Sequence, residues 1–349
     1  MNRNILNGNL RTELGEQLKS AKEQRLININ HNEGLIIKTA NQWLDKAKST
    51  PIPNMLFSEF WYENELCILF ADTNLGKSIL AVQIAQSISS GVPIDGFKLE
   101  STPRKTLYLD FELSDKQFEK RYSEEYTNHF VFSENLLRAE LNPYHELPKE
   151  FKSVEDYICT YIETCIKEHH VAVVIVDNMT YLKNDNEKAK DALDLMKKLN
   201  KIKKTYQISI LVLAHTPKRD ESKPISKNDI SGSKMIVNFC DSAFAIGNST
   251  EAANRRYLKQ IKQRNIEHLY HGGNVVVCDI NKDFNFLEFR FIDYDNELTH
   301  LKSYDKMGIE ERDTEMVRLL NDGLSNVAIA EQLGVSEGTI RIRRKKLGI

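Results

Sequence analysis

The sequence predicts an α/β fold with a mainly parallel central sheet flanked by helices, followed by a small all-α domain at the C-terminus. Short apolar runs of strand length alternate with helical patterns between residues 66 and 214, and such alternation is typical of a parallel sheet. The first of these runs continues through a polar loop into a helix. After Tyr304 the composition changes, and the remaining residues carry helical patterns only.

The composition is that of an ordinary soluble globular protein, with 41% hydrophobic and 28% charged residues in a chain of 349. The net charge of −2 argues against attraction of the whole molecule to nucleic acid, so DNA binding would need a local basic patch. No apolar run approaches the ~18 residues that cross a bilayer. The polar N-terminus lacks a secretory core. We therefore expect a cytoplasmic protein without a membrane partner.

The five cysteines form no CxxC pair and are expected to be buried small residues: Cys67, Cys159, Cys165, Cys240 and Cys278.

Residues 1–50 are predicted to form an N-terminal helical arm. Two helical patterns, Leu10 to Arg25 and Ile36 to Ala47, are charged and poor in apolar residues, so each needs another surface to pack on. The arm is either loosely attached or docks on a neighbouring subunit. Pro51 and Pro53 mark the boundary to the main domain, which we expect to span residues 51–300.

The first strand and its loop predict a nucleotide site. A buried strand is expected from Leu66 to Phe70, and the next residues read ADTNLGKS before a helix. This is the order of a P-loop, in which backbone N–H groups at a helix N-terminus bind phosphate. Gly76 lets the backbone approach, Lys77 supplies positive charge, and Ser78 supplies a magnesium ligand. Ala71 stands where the strict motif has its first glycine. The chain is therefore expected to bind ATP and Mg²⁺, with the phosphates contacting Asp72, Thr73, Asn74, Leu75, Gly76, Lys77 and Ser78.

The second apolar run, Thr106 to Phe111, is followed by Glu112. Parallel strands present functional side chains at their C-terminal ends, where a carboxylate can polarise the water that attacks the γ-phosphate. Glu112 is the candidate general base, and Asp110 is the second choice. From Ser114 to Lys167 the pattern is helical, with a polar interruption around Asn142 to Pro148.

Two further strand ends carry candidate site residues. Val171 to Val176 is the most apolar run and is closed by Asp177, which is placed to hold the magnesium ion. A helix from Lys188 to Tyr206 leads to a strand from Ser209 to Ala214. His215 follows that strand and is a candidate γ-phosphate sensor. The polar stretch 219–233 predicts a long loop, which in a ring ATPase could face a central channel.

Four further strands are expected at Ser242 to Ile246, Tyr257 to Gln263, Asn274 to Asp279 and Leu287 to Ile292. The third follows the turn His271-Gly272-Gly273, so the sheet is expected to finish with antiparallel hairpin strands. Lys262 and Arg264 lie close together at the end of the second of the four strands. They are either a solvated basic edge, which protects against aggregation, or trans-acting cations that reach a neighbour's nucleotide.

In this order and spacing, ADTNLGKS, LYLDFE, VVIVDN, LVLAHTPK and KQIKQRN resemble the motifs of RecA-like P-loop ATPases. The similarity is greatest to the branch that contains plasmid RepA-type and DnaB-type hexameric replicative helicases, and it covers residues 51–295. It implies Mg-ATP hydrolysis at subunit interfaces and a homo-oligomer, expected to be a hexamer, assembled on single-stranded DNA as a ring or filament. It also implies matched roles for Lys77 and Ser78 (Walker A), Glu112 (catalytic glutamate), Asp177 (Walker B), His215 (phosphate sensor), and Lys262 with Arg264 (finger strand).

Residues 305–349 predict a helix-turn-helix domain. A helix is expected from Glu310 to Leu320, and the sequence from Asn326 to Ile349 fits the two-helix template. In that template Ile329, Leu333, Val335 and Ile340 pack the helices, Ala330 allows close approach, Gly334 makes the turn and Ser336 caps the second helix. The match resembles the DNA-binding modules of LuxR-type regulators and sigma factors. Duplex DNA is expected to contact Ser336, Glu337, Thr339, Arg341, Arg343, Arg344, Lys345 and Lys346; the alternative is a basic protein-interaction domain.

Two functions follow from these patterns. The first is an ATP-hydrolysing DNA motor, a hexameric replicative helicase of a plasmid or mobile element. The second is an ATP-switched oligomeric DNA-binding regulator, or a recombination or replication accessory protein, that does not unwind DNA. Glu112, His215, Lys262 and Arg264 favour the motor, because a nucleotide switch does not need them.

Overall fold

A computed structural model describes residues 35–142, 148, 151, 153–178, 188–216, 219–230, 234–302, 306–333, 335 and 337–349. Contacts divide the chain into two units, Met1–Ile52 and Pro53–Ile349. In the first unit, helix α1 spans Ala40–Lys48. It begins later than predicted because Thr39 is its N-cap, with a capping box in which Thr39 and Gln42 each bond the other's backbone N–H. The helix predicted from Leu10 to Arg25 lies outside the described residues.

The second unit contains the strands and the other helices. In chain order they are β1 Met55–Phe57, β2 Trp61–Tyr62, β3 Leu66–Ala71, α2 Lys77–Ser90, β4 Thr106–Asp110, α3 Asp115–Arg121, β5 Ser123–Glu124, β6 Asn128–His129, β7 Leu136–Ala139, α4 Val154–His169, β8 Val173–Asp177, α5 Lys188–Tyr206, β9 Ser209–His215, α6 Lys234–Phe239, β10 Ser242–Asn248, β11 Arg255–Lys262, β12 Val275–Lys282, β13 Leu287–Asp295, α7 Glu297–His300, α8 Lys306–Asn321, α9 Asn326–Gln332 and α10 Glu337–Leu347.

Nine strands form the central sheet in the order β13-β12-β11-β10-β3-β9-β8-β4-β7. The strands from β10 to β7 are parallel to one another, whereas β11, β12 and β13 pair antiparallel at the other side. This confirms the predicted α/β class with its mainly parallel sheet. The strand β3 that precedes the phosphate loop lies between β10 and β9, so the loop emerges near the middle of the sheet.

Helices cover both faces of the sheet, because alternate side chains of each strand point to opposite sides. Along β3, Leu66, Ile68 and Phe70 belong to one hydrophobic core. Cys67, Leu69 and Ala71 belong to the other, together with apolar side chains of α2. Four cysteines are buried and Cys165 is partly buried, in keeping with their expected role as small core residues.

The prediction of helix throughout Ser114 to Asn142 was wrong. Helix α3 ends at Arg121, the short hairpin β5–β6 follows, and β7 adds a parallel strand beside β4. Aromatic packing explains this: the ring of Phe132 lies 5.7 Å from that of Phe118 and 5.2 Å from that of Tyr122, and the rings of Phe130 and Phe286 lie 4.4 Å apart. The aromatic residues of this stretch therefore pack across the hairpin rather than along one helix face.

The C-terminal helices form a small hydrophobic core of their own. Met316, Leu319, Ile329, Ala330 and Ile340 are buried there, and Leu333 and Val335 pack against them. Helix α9 is capped by Ser325, whose hydroxyl accepts the N–H of Ala328. In the part of the chain that the structure describes, every helix is too short or too polar to span a lipid bilayer.

Candidate nucleotide site

The phosphate loop joins β3 to α2 with two left-handed residues, Asn74 at φ 64° and Gly76 at φ 93°. The first helical bond runs from Leu80 N to Gly76 O at 3.0 Å. The N–H groups before it have no acceptor within the helix and are available to phosphate oxygens. At Gly76 an added Cβ would lie 2.9 Å from both Ile280 Cδ1 and Phe289 Cε2. Glycine is therefore required by both conformation and space.

Lys77 lies buried under this loop. Its Nζ donates to Ala71 O at 2.9 Å and Asp72 O at 3.1 Å, and it lies 3.1 Å from His215 Nδ1. Burial lowers the pKa of Lys77, although the charges of Asp177 and Glu112 oppose the shift. The ammonium group is thus held by neutral oxygens of its own loop, which it can exchange for a phosphate.

Asp177 ends β8 and is fully buried. Burial raises its pKa to about 6, while hydrogen bonds from Ser78 and Tyr108 oppose the shift. The Tyr108 hydroxyl donates to Oδ2 at 2.5 Å. The other oxygen, Oδ1, has no hydrogen-bond partner among the described residues. A buried carboxylate oxygen beside a serine hydroxyl suits Mg²⁺, which prefers oxygen ligands. Ser78 and Asp177 therefore fit the predicted magnesium site.

Asp110 and Arg138 build the turn that carries Glu112. Oδ1 of the buried Asp110 accepts the N–H groups of Glu112 at 3.1 Å and Leu113 at 3.0 Å. Its Oδ2 accepts Arg138 Nε at 3.0 Å, and the same guanidinium donates to Leu113 O at 2.8 Å. Because both Asp110 oxygens have partners, this residue positions the turn and is poorly suited to act as a base.

The carboxylate of Glu112 points to the ends of β8 and β9. Asn178 Nδ2 donates to Glu112 Oε1 and lies 2.9 Å from His215 Nε2. His215 Nε2 lies 3.4 Å from the same Glu112 oxygen. The hydrogen bond from His215 is the main cause that holds the pKa of Glu112 below its ordinary value. Lys77, His215 and Glu112 thus form a continuous polar chain across the sheet edge.

Sequence reasoning missed three residues of this site: Tyr108, Arg138 and Asn178. Asn178 directly follows Asp177, through a cis peptide bond, and its position beside a strand-end acid was a usable signal. Tyr108 lies inside an apolar strand and gave no sign of a polar role. Arg138 was not found because β7 was interpreted as helix.

Lys262 and Arg264 lie at the opposite end of the parallel strands from the phosphate loop. Lys262 pairs with Ala243 near the beginning of β10, and Ala243 pairs with Ile68 near the beginning of β3. Lys262 Nζ donates to Val237 O at 2.6 Å and Cys240 O at 2.7 Å. The two cations therefore do not contribute to the nucleotide site of their own chain.

Arg264 is exposed and bonded to the loop before β10. Its guanidinium donates to Asp241 Oδ1 at 3.2 Å and to Asn238 O at 3.1 Å. About half of its side chain, 53%, remains accessible to solvent. The residue is thus held at one end of the sheet while a face of its guanidinium stays free for another group.

Three arginines of α10 have side-chain partners among the C-terminal helices. Arg341 pairs with Glu337 at 2.8 Å, Arg343 with Asp313, and Arg344 with the Asn326 side chain at 2.9 Å. Lys345, Lys346 and Thr339 are exposed. Gly334 and Ser336 lie outside the described residues.

Comparison with known proteins gives one family. The family model described as "AAA domain" matches residues 37–221, which is more than half of the chain. None of the curated proteins searched matches. Among solved structures, the KaiC-like protein PH0186 from the hyperthermophilic archaeon Pyrococcus horikoshii OT3 aligns with a TM-score of 0.43 and 13% identity, over 66% of this chain and 90% of that chain.

Proposed function

Because the chain belongs to the AAA domain family, whose P-loop marks an ATPase, we propose that it is a magnesium-dependent ATPase that works as a DNA motor. The observation that carries the proposal is the convergence of Lys77, Glu112, Asp177 and His215 at one edge of the sheet. A site for binding alone needs the loop and the lysine. A carboxylate held in place by both an amide and an imidazole is suited to activating water.

Each side chain has a separate task in this mechanism. Mg²⁺, when held by Ser78 and Asp177, would supply positive charge to the phosphates. Lys77 exchanges its loop carbonyls for phosphate oxygens, and Glu112 accepts the proton of the attacking water. His215 lies between these two groups and can report the loss of the γ-phosphate to β9.

We propose that the active form is a homo-oligomer, a hexamer, in which Lys262 and Arg264 reach the nucleotide of a neighbouring copy. They lie at the end of the strands opposite the phosphate loop. This supports the proposal, because head-to-tail packing brings one end of a subunit against the opposite end of the next subunit. Single-stranded DNA is proposed to run through the ring or filament, with part of the loop 219–233 facing it.

The C-terminal helices are proposed to bind duplex DNA through α10. Lys345 and Lys346 supply phosphate contacts, and Glu337, Thr339 and Arg341 are placed in the first half of the helix, where base edges are usually read. Ser336 remains a DNA contact that is predicted from the sequence alone. Arg343 and Arg344 are expected to contribute less, since each has a partner within the module.

The same module supports a second candidate, an ATP-switched DNA-binding regulator without unwinding activity. Strand displacement on a forked DNA with ATP separates the two, measured beside ATP hydrolysis with single-stranded and duplex DNA. The Glu112→Gln variant serves as the control for turnover-dependent displacement. Unwinding with stimulation by single strands supports the helicase of a plasmid or mobile element. Stimulation by duplex alone, without displacement, supports the regulator.

A further inference from the structure

His300 is a buried histidine that the ATPase proposal does not use. It ends α7, and only 1% of its surface is exposed. Its ring stacks on Tyr257 with the centroids 5.4 Å apart and 26° between the planes. Its Nδ1 lies 2.8 Å from Ser249 Oγ. Stacking and hydrogen bonding together fix the orientation of the imidazole.

The other ring nitrogen, Nε2, has no hydrogen-bond partner among the described residues. It faces Asp295 Oδ2 at 3.5 Å. Buried polar atoms are nearly always bonded, so an unbonded one needs an explanation. If Nδ1 donates its proton to Ser249, Nε2 carries a lone pair directed at the Asp295 carboxylate. A hydrogen bond at the second nitrogen is also how metal-binding histidines are held.

Two carboxylates complete a set of ligand atoms around this histidine. One atom each from Glu251, Asp295 and His300 lies within 4.8 Å of the other two. Glu251 belongs to the loop after β10, and Asp295 ends β13. Both carboxylates are partly exposed, with 35% and 40% of their side chains accessible. Imidazole with carboxylate suits Zn²⁺ and similar transition metals, with water at an open position.

The charges around the set favour a divalent cation. Arg255 contacts Glu251 Oε2 at 3.0 Å and Asp279 Oδ1 at 3.0 Å. Asp295 is a third carboxylate beside His300, so the three carboxylates and the one guanidinium carry two negative charges in excess. The Glu251 oxygen that the guanidinium contacts, Oε2, also lies 3.6 Å from His300 Nδ1, so this carboxylate faces the histidine as well as the arginine.

We propose that Glu251, Asp295 and His300 bind one divalent transition-metal ion of the Zn²⁺ type. Such an ion joins the loop after β10 to the ends of β13 and α7. The loop is already attached there by a backbone bond from Thr250 N to His300 O at 3.1 Å. The metal would therefore stabilise an existing contact, separate from the residues that hold ATP.

Calorimetric titration with Zn²⁺ tests the proposal on the untagged full-length chain without nucleotide. We expect one Zn²⁺ per chain. Asp295→Asn and Glu251→Gln should each weaken binding by about tenfold or more, and His300→Gln should do the same. Asp293→Asn removes an exposed carboxylate from the same strand and should keep the wild-type affinity. Equal affinity in Asp295→Asn and wild type, or no stoichiometric uptake by wild type, would overturn the site.

Substitution of the metal by Co²⁺ identifies the ligand atoms. Nitrogen and oxygen ligands give weak ligand-field bands, and a thiolate charge-transfer band would instead assign the metal to cysteine and refute the proposal. Zn²⁺ should also raise the Tm of wild type and Asp293→Asn but not of Asp295→Asn, because a ligand stabilises the state that binds it. None of these readouts depends on ATP hydrolysis, so they stand apart from the proposed function.

Discussion

Asp110 and Glu112 lie two residues apart at the end of β4, yet their surroundings give them different roles. Asp110 is buried and bonded to Arg138 and to the backbone of the turn. Glu112 is partly exposed, with 39% of its side chain accessible, and contacts His215 and Asn178. Access to solvent and an ionised carboxylate are what a water-activating base needs.

At the residue scale, Glu112→Gln should retain ATP binding and lose turnover by about 100-fold or more, because the amide cannot accept the proton. Steady-state hydrolysis and direct nucleotide binding measure the two effects. Glu134→Gln removes an exposed carboxylate elsewhere and should leave both unchanged. Wild-type turnover in Glu112→Gln would rule out this base.

Asn178→Ala should lower kcat by up to about 100-fold with little change in KM for ATP, because the freed Glu112 carboxylate loses its orientation. Asn178 is also buried, so the Tm must be measured beside the kinetics. A lowered Tm with an unchanged kcat at a temperature where the variant is folded would show that Asn178 has a structural role only.

The places of Lys77, Ser78 and Asp177 follow from the sequence, because a loop motif and a strand end determine them; their roles stay predictions. The sequence was insufficient for Asn178 and Tyr108, whose roles depend on which strands are neighbours. Val173 of β8 pairs with Thr106 of β4, and that long-range pairing brings Tyr108 to Asp177. No local pattern encodes it.

At the scale of elements, the strand β13 is bonded to the helix that follows the phosphate loop. Gln83 of α2 donates to Phe289 O at 3.0 Å and accepts Phe289 N at 2.8 Å. The Phe289 ring lies against Gly76. The antiparallel end of the sheet therefore supports the loop, a relation that strand patterns alone do not reveal.

Gln83→Leu should destabilise the fold by about 2–6 kcal/mol, because it leaves two buried backbone groups without partners at about 1–3 kcal/mol each. Gln86, one helical turn further, accepts one bond from Ser133 N, so Gln86→Leu should cost about half as much. Urea unfolding measures both. Equal free energies of unfolding for Gln83→Leu and wild type would show that this contact adds nothing.

Apolar runs predicted the strands of the sheet well, since burial on both faces leaves few polar residues in them. The hairpin β5–β6 and strand β7 escaped prediction because they are short and mix polar with aromatic residues. Glu125 and Tyr126 adopt positive φ in the hairpin turn. These residue types rarely adopt that conformation, so the sequence did not predict a turn there.

In the proposed DNA-binding module, helix α10 carries both exposed lysines and arginines held in structural ion pairs. The double variant Lys345→Ala with Lys346→Ala should weaken duplex binding and reduce the salt slope by about 2, because each lysine releases about one counterion. Arg343→Ala should chiefly lower the stability of the module, since Arg343 pairs with the partly buried Asp313. Fluorescence anisotropy across a salt series measures the slope. An unchanged salt slope in the double variant would show that duplex DNA does not contact these two lysines.

At the scale of the whole molecule, the proposed oligomer requires the two ends of the parallel strands to meet between neighbouring copies. The phosphate loop lies at the C-terminal ends of the parallel strands, and Arg264 lies at the other end, where it is bonded to Asp241. Asp241 also accepts Lys203 Nζ at 2.5 Å and Leu66 N at 2.9 Å. It would therefore keep partners if Arg264 turned toward a neighbouring copy, as proposed.

Arg264→Ala should abolish hydrolysis by the assembled protein while isolated subunits still bind ATP, because a trans-acting cation stabilises the transition state and not the bound substrate. Arg290→Ala, which removes a partly exposed arginine elsewhere, should retain hydrolysis. Mixing Arg264→Ala with Glu112→Gln subunits sharpens the test, because an interface formed by a wild-type Glu112 and a wild-type Arg264 restores some turnover. Loss of ATP binding by isolated Arg264→Ala subunits, or absence of any recovery on mixing, would place Arg264 within its own chain's fold and not at a shared site.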